Sequence, residues 1–153
     1  MDFIIDVFEK ENCNLEIYGP IDKNYENFFK NRIKKISNIH YKGEIYNKEK
    51  FELIASSKGL VLLSRSEGMP MVVLEALSLG TPCFLSVNSN MDDYIIDYET
   101  GVITELDLLI AKQKLQSFLG MINNNNSSEY CKVTCKEYFK WDAEKIISAY
   151  RKV

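Results

Sequence analysis

No run in this 153-residue chain approaches the ~18 consecutive apolar residues that a membrane-crossing helix needs. The longest, such as Leu60 to Leu63, have the length of a strand. The N-terminus reads Met1-Asp2-Phe3-Ile4-Ile5-Asp6, without the basic start and small-residue cleavage site of a secretory signal. Basic residues are in deficit, 19 against 22 acidic, for a formal charge of −3. A protein that holds nucleic acid through its phosphates carries a basic excess instead, so nucleic acid is not expected as a partner. Metal chemistry is short of ligands. There is one histidine, His40, and the four cysteines, Cys13, Cys83, Cys131 and Cys135, show no CxxC spacing. Reduced thiols in a cytosolic protein are the plain reading, with no metal and no cofactor expected.

What is present suits one ordinary domain. Hydrophobic residues make up 46% of the chain, enough for a sizeable core. At this length folding removes roughly 70% of the unfolded chain's surface from water. The 27% of charged residues fits neither a disordered tail nor an apolar membrane segment. Residues 1–153 are therefore expected to form a single domain, with no room for two full ones.

Along the chain, apolar runs of strand length alternate with longer segments of helical period. Strands are predicted at Leu15 to Tyr18, Ile39 to Tyr41, Leu60 to Leu63, Cys83 to Ser86 and Gly101 to Ile103. The continuously apolar Leu60 to Leu63 reads as a strand buried on both faces of a parallel sheet. Helices are predicted at Phe3 to Glu9, at Tyr25 to Ser37 (with Phe28, Phe29, Ile33 and Ile36 inward) and at Lys48 to Ser57 (with Phe51, Ile54 and Ala55 inward). A further helix runs to Leu79, with Pro70 suited to its first position and Gly80 to the residue just past its end. Helices at Leu106 to Ile122, Glu129 to Phe139 and Trp141 to Arg151 complete the chain, with a polar break at Asn123 to Ser128. Strand and helix in this order imply parallel pairing through right-handed crossovers, an α/β fold with a doubly wound, Rossmann-like parallel sheet. Ligands of such sheets sit outside the carboxyl ends of the strands. Those ends are Gly19-Pro20, Gly43-Glu44-Ile45, Ser64 to Pro70, and Ser86 to Asn90.

One of them, Glu67-Gly68-Met69-Pro70-Met71-Val72-Val73-Leu74-Glu75, follows the most apolar strand and opens a helix. Free amides at a helix N-terminus, backed by the helix dipole, make a ready phosphate site. Carboxylates beside an anion site are odd unless the ligand also carries hydroxyls, since a carboxylate accepts two hydrogen bonds from a vicinal diol. Phosphate plus sugar is a nucleotide sugar. The plainer account also stands on these residues alone: glutamate in early helical turns complements the dipole, and Glu67 could cap the loop.

Beyond local physics, Ser64-x-x-Glu67-Gly68-Met69-Pro70-x-Val72-x-Leu74-Glu75-Ala76-x-x-x-Gly80-Thr81-Pro82 resembles the Glu-x7-Glu signature of family 4 (group 1) glycosyltransferases. The Gly-Met-Pro variant is similar to members that build capsular and lipopolysaccharide sugars. Leu15 to Pro20 resembles the second strand of that family's donor domain and Ile39 to Ile45 its third. Phe139-Lys140-Trp141 and Tyr150 resemble its closing helices. The implied architecture is the C-terminal, donor-binding half of a two-domain (GT-B) enzyme. Its first strand, the loop after it with an Arg and a Lys, and the acceptor-binding N-terminal domain are expected to be absent. After the Ser86 strand, where the family shows Gly-Gly, this chain reads Asn88-Ser89-Asn90-Met91-Asp92-Asp93, keeping acidic side chains without the glycines.

The resemblance implies metal-independent transfer of a hexose, with retention, from a nucleotide-diphosphate sugar to a glycan or lipid-linked acceptor. It implies that Glu67 binds the transferred sugar as the catalytic carboxylate, and that Glu75 binds the ribose hydroxyls. The amides of Gly68, Met69 and Met71 would hold sugar and diphosphate oxygens. Gly43, Glu44 and Ile45 would line the base pocket, and Gly19 would approach the phosphates. The isolated chain is expected to be inactive without its acceptor domain. A catalytically silent sugar-nucleotide-binding module or a sugar-nucleotide epimerase is the alternative. A receiver-like signalling domain would need acidic residues at the first strand tip, an Asp at the third and a Lys at the fifth, against Gly-Pro, Gly-Glu and Ser-Arg-Ser here. The remaining residues carry plainer expectations: His40 a packed or hydrogen-bonded strand residue, Tyr138, Phe139 and Trp141 helix packing. The Lys30 to Lys35 run is a solvated helix face, with peripheral membrane contact through the longer protein as its other reading.

Overall fold

In the computed structural model the described residues are 2–95, 99–123 and 127–139. The helix predicted over 141–151, with Lys140, Trp141 and Tyr150, lies outside them, as do the side chains of Tyr138 and Phe139. The chain divides into two compact units, Met1–Tyr46 and Asn47–Val153.

The first unit runs α1 (Asp2–Phe8), β1 (Leu15–Tyr18), α2 (Lys23–Ile33), β2 (Ile39–Gly43). Its strands pair in parallel, Leu15 against Ile39 and Tyr18 against Gly43, with one irregularity between Ile17 and Tyr18. Asp22 starts α2 by accepting a 2.8 Å hydrogen bond from the Asn24 amide, satisfying a donor that no helical carbonyl reaches. The core packs Ile5, Val7 and Phe8 of α1 with Leu15, Phe29, Ile33 and Ile39. Phe28, predicted inward, is instead exposed, because Phe29 takes the buried position on α2. His40 is also exposed, opposite Glu16 in the ladder, and is not packed as its central place in the strand suggested. Asn38 donates from its side-chain amide to the carbonyls of Phe8, Glu11 and Cys13, at 2.9–3.0 Å, and so ties down the α1–β1 loop.

The second unit runs α3 (Asn47–Ser56), β3 (Leu60–Leu62), α4 (Met71–Leu79), β4 (Cys83–Ser86), β5 (Gly101–Thr104), α5 (Leu108–Ile122) and α6 (Ser127–Phe139). The three strands are parallel in the order β3-β4-β5, Leu60 opposite Cys83 and Cys83 opposite Gly101. Central β4 is buried throughout. β3, expected to be buried on both faces, is only half-buried because it is an edge of its sheet. Val73, Leu74, Ala76 and Leu77 of α4 form one core with Ile54, Leu85, Cys131 and Cys135, while Phe84 stacks on Phe118 of α5 at 5.5 Å between ring centroids. Ala55, predicted inward, is exposed. Gly80 ends α4 at a φ of 85°, a left-handed conformation that glycine adopts without penalty. Asp107 starts α5 two residues later than predicted, accepting from the amides of Leu109 and Ile110. Among the described residues no helix is long and apolar enough to cross a membrane.

Each unit is an α/β arrangement with its own parallel sheet, β1-β2 in the first and β3-β4-β5 in the second.

Candidate functional site

In the second unit the chain leaves β3 at Leu62 and reaches α4 at Met71. Pro70 is the N-cap, one residue earlier than the first helical position expected of it, with φ −72° and an extended ψ of 107°. It has no N–H, and makes no side-chain capping bond. The Val73 amide turns back on the Pro70 carbonyl at 3.0 Å. The first amides of α4 thus face outward with the positive end of the helix dipole. The loop before them is pinned to the turn after β4. The Glu67 amide donates to the Asn88 carbonyl at 3.0 Å, Asn90 Nδ2 donates to the Glu67 carbonyl, and Ser86 Oγ donates to the Ser64 carbonyl at 2.7 Å. Backbone is fixed on both sides of the Glu67 carboxylate, which itself has no hydrogen-bond or ion-pair partner among the described residues. A methyl group on Gly68 would meet nothing within 4 Å, and the side chains of Met69 and Met71 are exposed.

Glu75 lies on the inward side of α4, only 5% exposed, among the apolar residues that seat the helix. Lys50 Nζ of α3 donates to its Oε1 at 2.7 Å. Its Oε2 is buried with no hydrogen-bond partner among the described residues. A buried carboxylate left half-satisfied costs free energy, of order 1–3 kcal/mol for a lone polar group and more for a charged one, so its retention calls for a reason. Two further buried hydroxyls without partners, Ser64 Oγ and Ser89 Oγ, follow β3 and β4 at the same end of the sheet. Lys50 was not among the residues that sequence reasoning selected. The available signal was weak: it lies one helical turn from buried Ile54, a charged residue on the inward side of α3. Its ammonium also sits 5.0 Å from the centre of the Phe51 ring.

In the first unit Gly19 and Gly43, at the carboxyl tips of β1 and β2, are joined by a 2.9 Å hydrogen bond from the Gly19 amide to the Gly43 carbonyl. Both have positive φ, 127° and 83°, in the region that favours glycine. Tyr41 Oη donates to the Gly19 carbonyl at 2.8 Å, and the ring meets Phe29 edge-on, so the tip is anchored to the core. Glu44 is exposed and Ile45 half-buried. A hydrogen bond to Glu44 raises the Tyr46 phenol above its ordinary pKa. The structure therefore assembles the predicted residues in two groups. Gly19, Gly43, Glu44 and Ile45 lie on the strand tips of the first unit, and Glu67, Gly68, Met69, Met71 and Glu75 on the β3–α4 segment of the second. Among the described residues no three His, Cys, Asp or Glu side chains gather in a way that could hold a metal ion.

Chemically, the second group offers backbone donors for an anion, a carboxylate with an unused oxygen for hydroxyl donors, and a second carboxylate free at the loop. Residues 1–129 match the family described as "Glycosyl transferases group 1". An uncharacterized glycosyltransferase of Methanocaldococcus jannaschii is 27% identical across the whole chain, which spans 43% of that protein's length. Among solved structures, sucrose-phosphate synthase of Thermosynechococcus elongatus superposes with a TM-score of 0.75 at 17% identity, over 99% of this chain and 41% of the synthase. The Anabaena protein HepE, crystallised with UDP-glucose, does so with a TM-score of 0.71 at 12% identity, over 99% of this chain and 44% of its own.

Proposed function

Because the chain belongs to the group 1 glycosyl transferases and folds as the C-terminal half of a GT-B enzyme, we propose that it is the donor-binding domain of a retaining hexosyltransferase. The donor is a nucleotide-diphosphate sugar, and the acceptor a glycan or lipid-linked sugar of the capsular or lipopolysaccharide kind. The observation that carries this reading is Glu75: a buried carboxylate with one oxygen held by Lys50 and the other without a partner, in the helix whose uncapped N-terminus suits a phosphate. An anion site alone has no use for that oxygen, whereas a ribose diol supplies the donors it lacks. Glu67 then faces the transferred sugar, with the amides of Gly68, Met69 and Met71 on sugar and diphosphate oxygens. Helix dipole and amides stand in for a cation at the diphosphate, so no metal is required. HepE, a structural neighbour, was crystallised with UDP-glucose, which makes uridine nucleotides the first to try. The acceptor is positioned by a partner N-terminal domain, since orientation can supply ~7–11 kcal/mol of such a barrier.

Titration calorimetry of the chain with UDP, GDP, their hexose derivatives and inorganic pyrophosphate tests the reading. Binding of one nucleoside diphosphate and its sugar, at least tenfold tighter than pyrophosphate, is the expected result. Pyrophosphate binding as well as any nucleotide would reduce the site to a bare anion pocket, and no nucleotide binding at all would overturn the assignment.

A further inference from the structure

Lys50 is the one side chain among the described residues that hydrogen-bonds Glu75, and it comes from a different element, α3, 25 residues earlier in the chain. We infer that Lys50 is a positioning residue for the nucleotide's ribose: it holds one oxygen of the Glu75 carboxylate and so leaves the other for the diol. The inference rests on the reading of Glu75 given above and adds a residue to that site.

Three observations lead there. First, the pair is asymmetric. Lys50 takes only Oε1, at 2.7 Å, while Oε2 stays buried and unpartnered. A pair built for stability alone would satisfy both oxygens, because a half-satisfied buried charge is costly. Second, the two partners differ in exposure. The Glu75 side chain is 7% exposed and that of Lys50 28%, so the ammonium reaches the buried carboxylate from nearer the surface. The lysine can therefore be removed without opening the core, and the carboxylate cannot. Third, the ammonium is itself held in place, 5.0 Å from the centre of the Phe51 ring. That ring is buried, so the charge approaching Glu75 has a fixed origin. With Oε1 fixed, the carboxylate plane cannot rotate freely, and Oε2 keeps both lone pairs for the 2′- and 3′-hydroxyls.

The test compares each ribonucleoside diphosphate with its 2′,3′-dideoxy counterpart, for uridine and for guanosine, by titration calorimetry. The unmodified chain, Lys50→Met, Lys50→Arg and the charge-free pair Lys50→Met with Glu75→Gln are titrated alongside. The unmodified chain is expected to prefer the diol by roughly 10-fold or more. Lys50→Met should reduce that preference to below threefold and leave the dideoxy compound's affinity unchanged, while Lys50→Arg, which keeps a cationic donor, should restore most of it. Should Lys50→Met fold poorly for want of a partner to Glu75, the charge-free pair, set against Glu75→Gln alone, tests instead whether Lys50 reaches the ribose only through Glu75. It should show no diol preference, and adding Lys50→Met to Glu75→Gln should cost nothing further. A diol preference that survives Lys50→Met in full would sink the inference and spare the reading of Glu75. No diol preference in the unmodified chain would sink both. Equal loss of ribo and dideoxy compounds in Lys50→Met, together with a lowered melting temperature, would show a support for the fold and no positioning of the ribose.

Discussion

Replacing each glutamate of the β3–α4 segment by glutamine separates their roles. In Glu75→Gln the side-chain shape is kept, but the amide has one acceptor where the carboxylate had two. Lys50 donates at 2.7 Å to Oε1, so the glutamine oxygen turns toward Lys50 and its NH2 group occupies the place of Oε2. A donor then faces the hydroxyls that needed an acceptor. The loss is that of a charge-assisted hydrogen bond, ~1.5–3 kcal/mol, or roughly 10- to 150-fold in affinity. Because ribose belongs to donor and by-product alike, UDP and UDP-hexose should weaken together. Glu67→Gln acts differently. Its carboxylate has no protein partner among the described residues, so stability should change by no more than about 0.5 kcal/mol. Affinity for the bare diphosphate should stay the same, while that for the sugar nucleotide falls. Calorimetric titration of both variants with UDP and UDP-glucose, alongside thermal melts, reads these affinities and stabilities. If Glu67→Gln weakens the bare diphosphate as much as Glu75→Gln does, the division between sugar and ribose is wrong. If both variants lose only melting temperature, with no change in ligand preference, the glutamates are structural.

Three predictions concern the scaffold. A methyl group at Gly101 would lie 2.2 Å from the Cys83 carbonyl oxygen and 3.1 Å from Ile95 Cγ2. Gly101→Ala should therefore cost about 1–3 kcal/mol or more in urea unfolding, and a cost near zero would contradict the tight β4–β5 pairing. Burial pushes the Cys131 thiol up to about 12 and Cys135 to about 11, and holds Cys83 well above the ordinary thiol range, whereas Cys13, also raised, is only half-buried. Ellman's reagent at pH 8 should label at most one thiol, Cys13, in the folded chain and four after denaturation; rapid labelling of more than one would mean α6 does not cover its cysteines. The Tyr25 hydroxyl donates to Asp2 at 2.6 Å, which lowers the Asp2 carboxyl and, with burial, raises the phenol to about 12. The stability that Tyr25 gives relative to Tyr25→Phe should be flat from pH 5 to 9. It should fall below pH 4 as the carboxylate is protonated, and fall again between pH 10 and 12 as the phenol ionises. A pH-independent difference would argue against the bond.

All five strands and six of the helices were legible in the sequence, because each rests on a local period bounded by residues with a specific conformational role. Gly80 and Pro70 mark the ends of α4 for reasons of backbone geometry that need no tertiary knowledge. The errors share a cause as well. Ala55 and Phe28 sit at positions that a helical period places next to the buried face, and the choice between neighbours depends on what the helix packs against. The continuous apolar run of β3 suggested burial on both faces, whereas its exposure depends on which strands flank it. The Lys50–Glu75 pairing could not be read for the same reason: 25 residues separate its members, and α3 and α4 meet only after the strand between them joins the sheet.

That dependence on pairing explains why the chemistry gathers where it does. In a parallel sheet every strand points the same way, so every carboxyl end reaches one edge. Within the second unit this brings the Ser64–Pro70 segment beside the turn after β4, where the Asn88 carbonyl and Asn90 side chain hold Glu67 in place. Within the first it brings Gly19 beside Gly43. The glutamate motif alone could not do this, since an isolated helix beginning at Met71 would present its amides and its two carboxylates to water, at full dielectric, with nothing to fix their spacing. Burying Glu75 under the apolar side of α4 turns a common helix-start residue into a group with an unmet hydrogen-bonding need. The sheet edge sets the direction from which that need can be met.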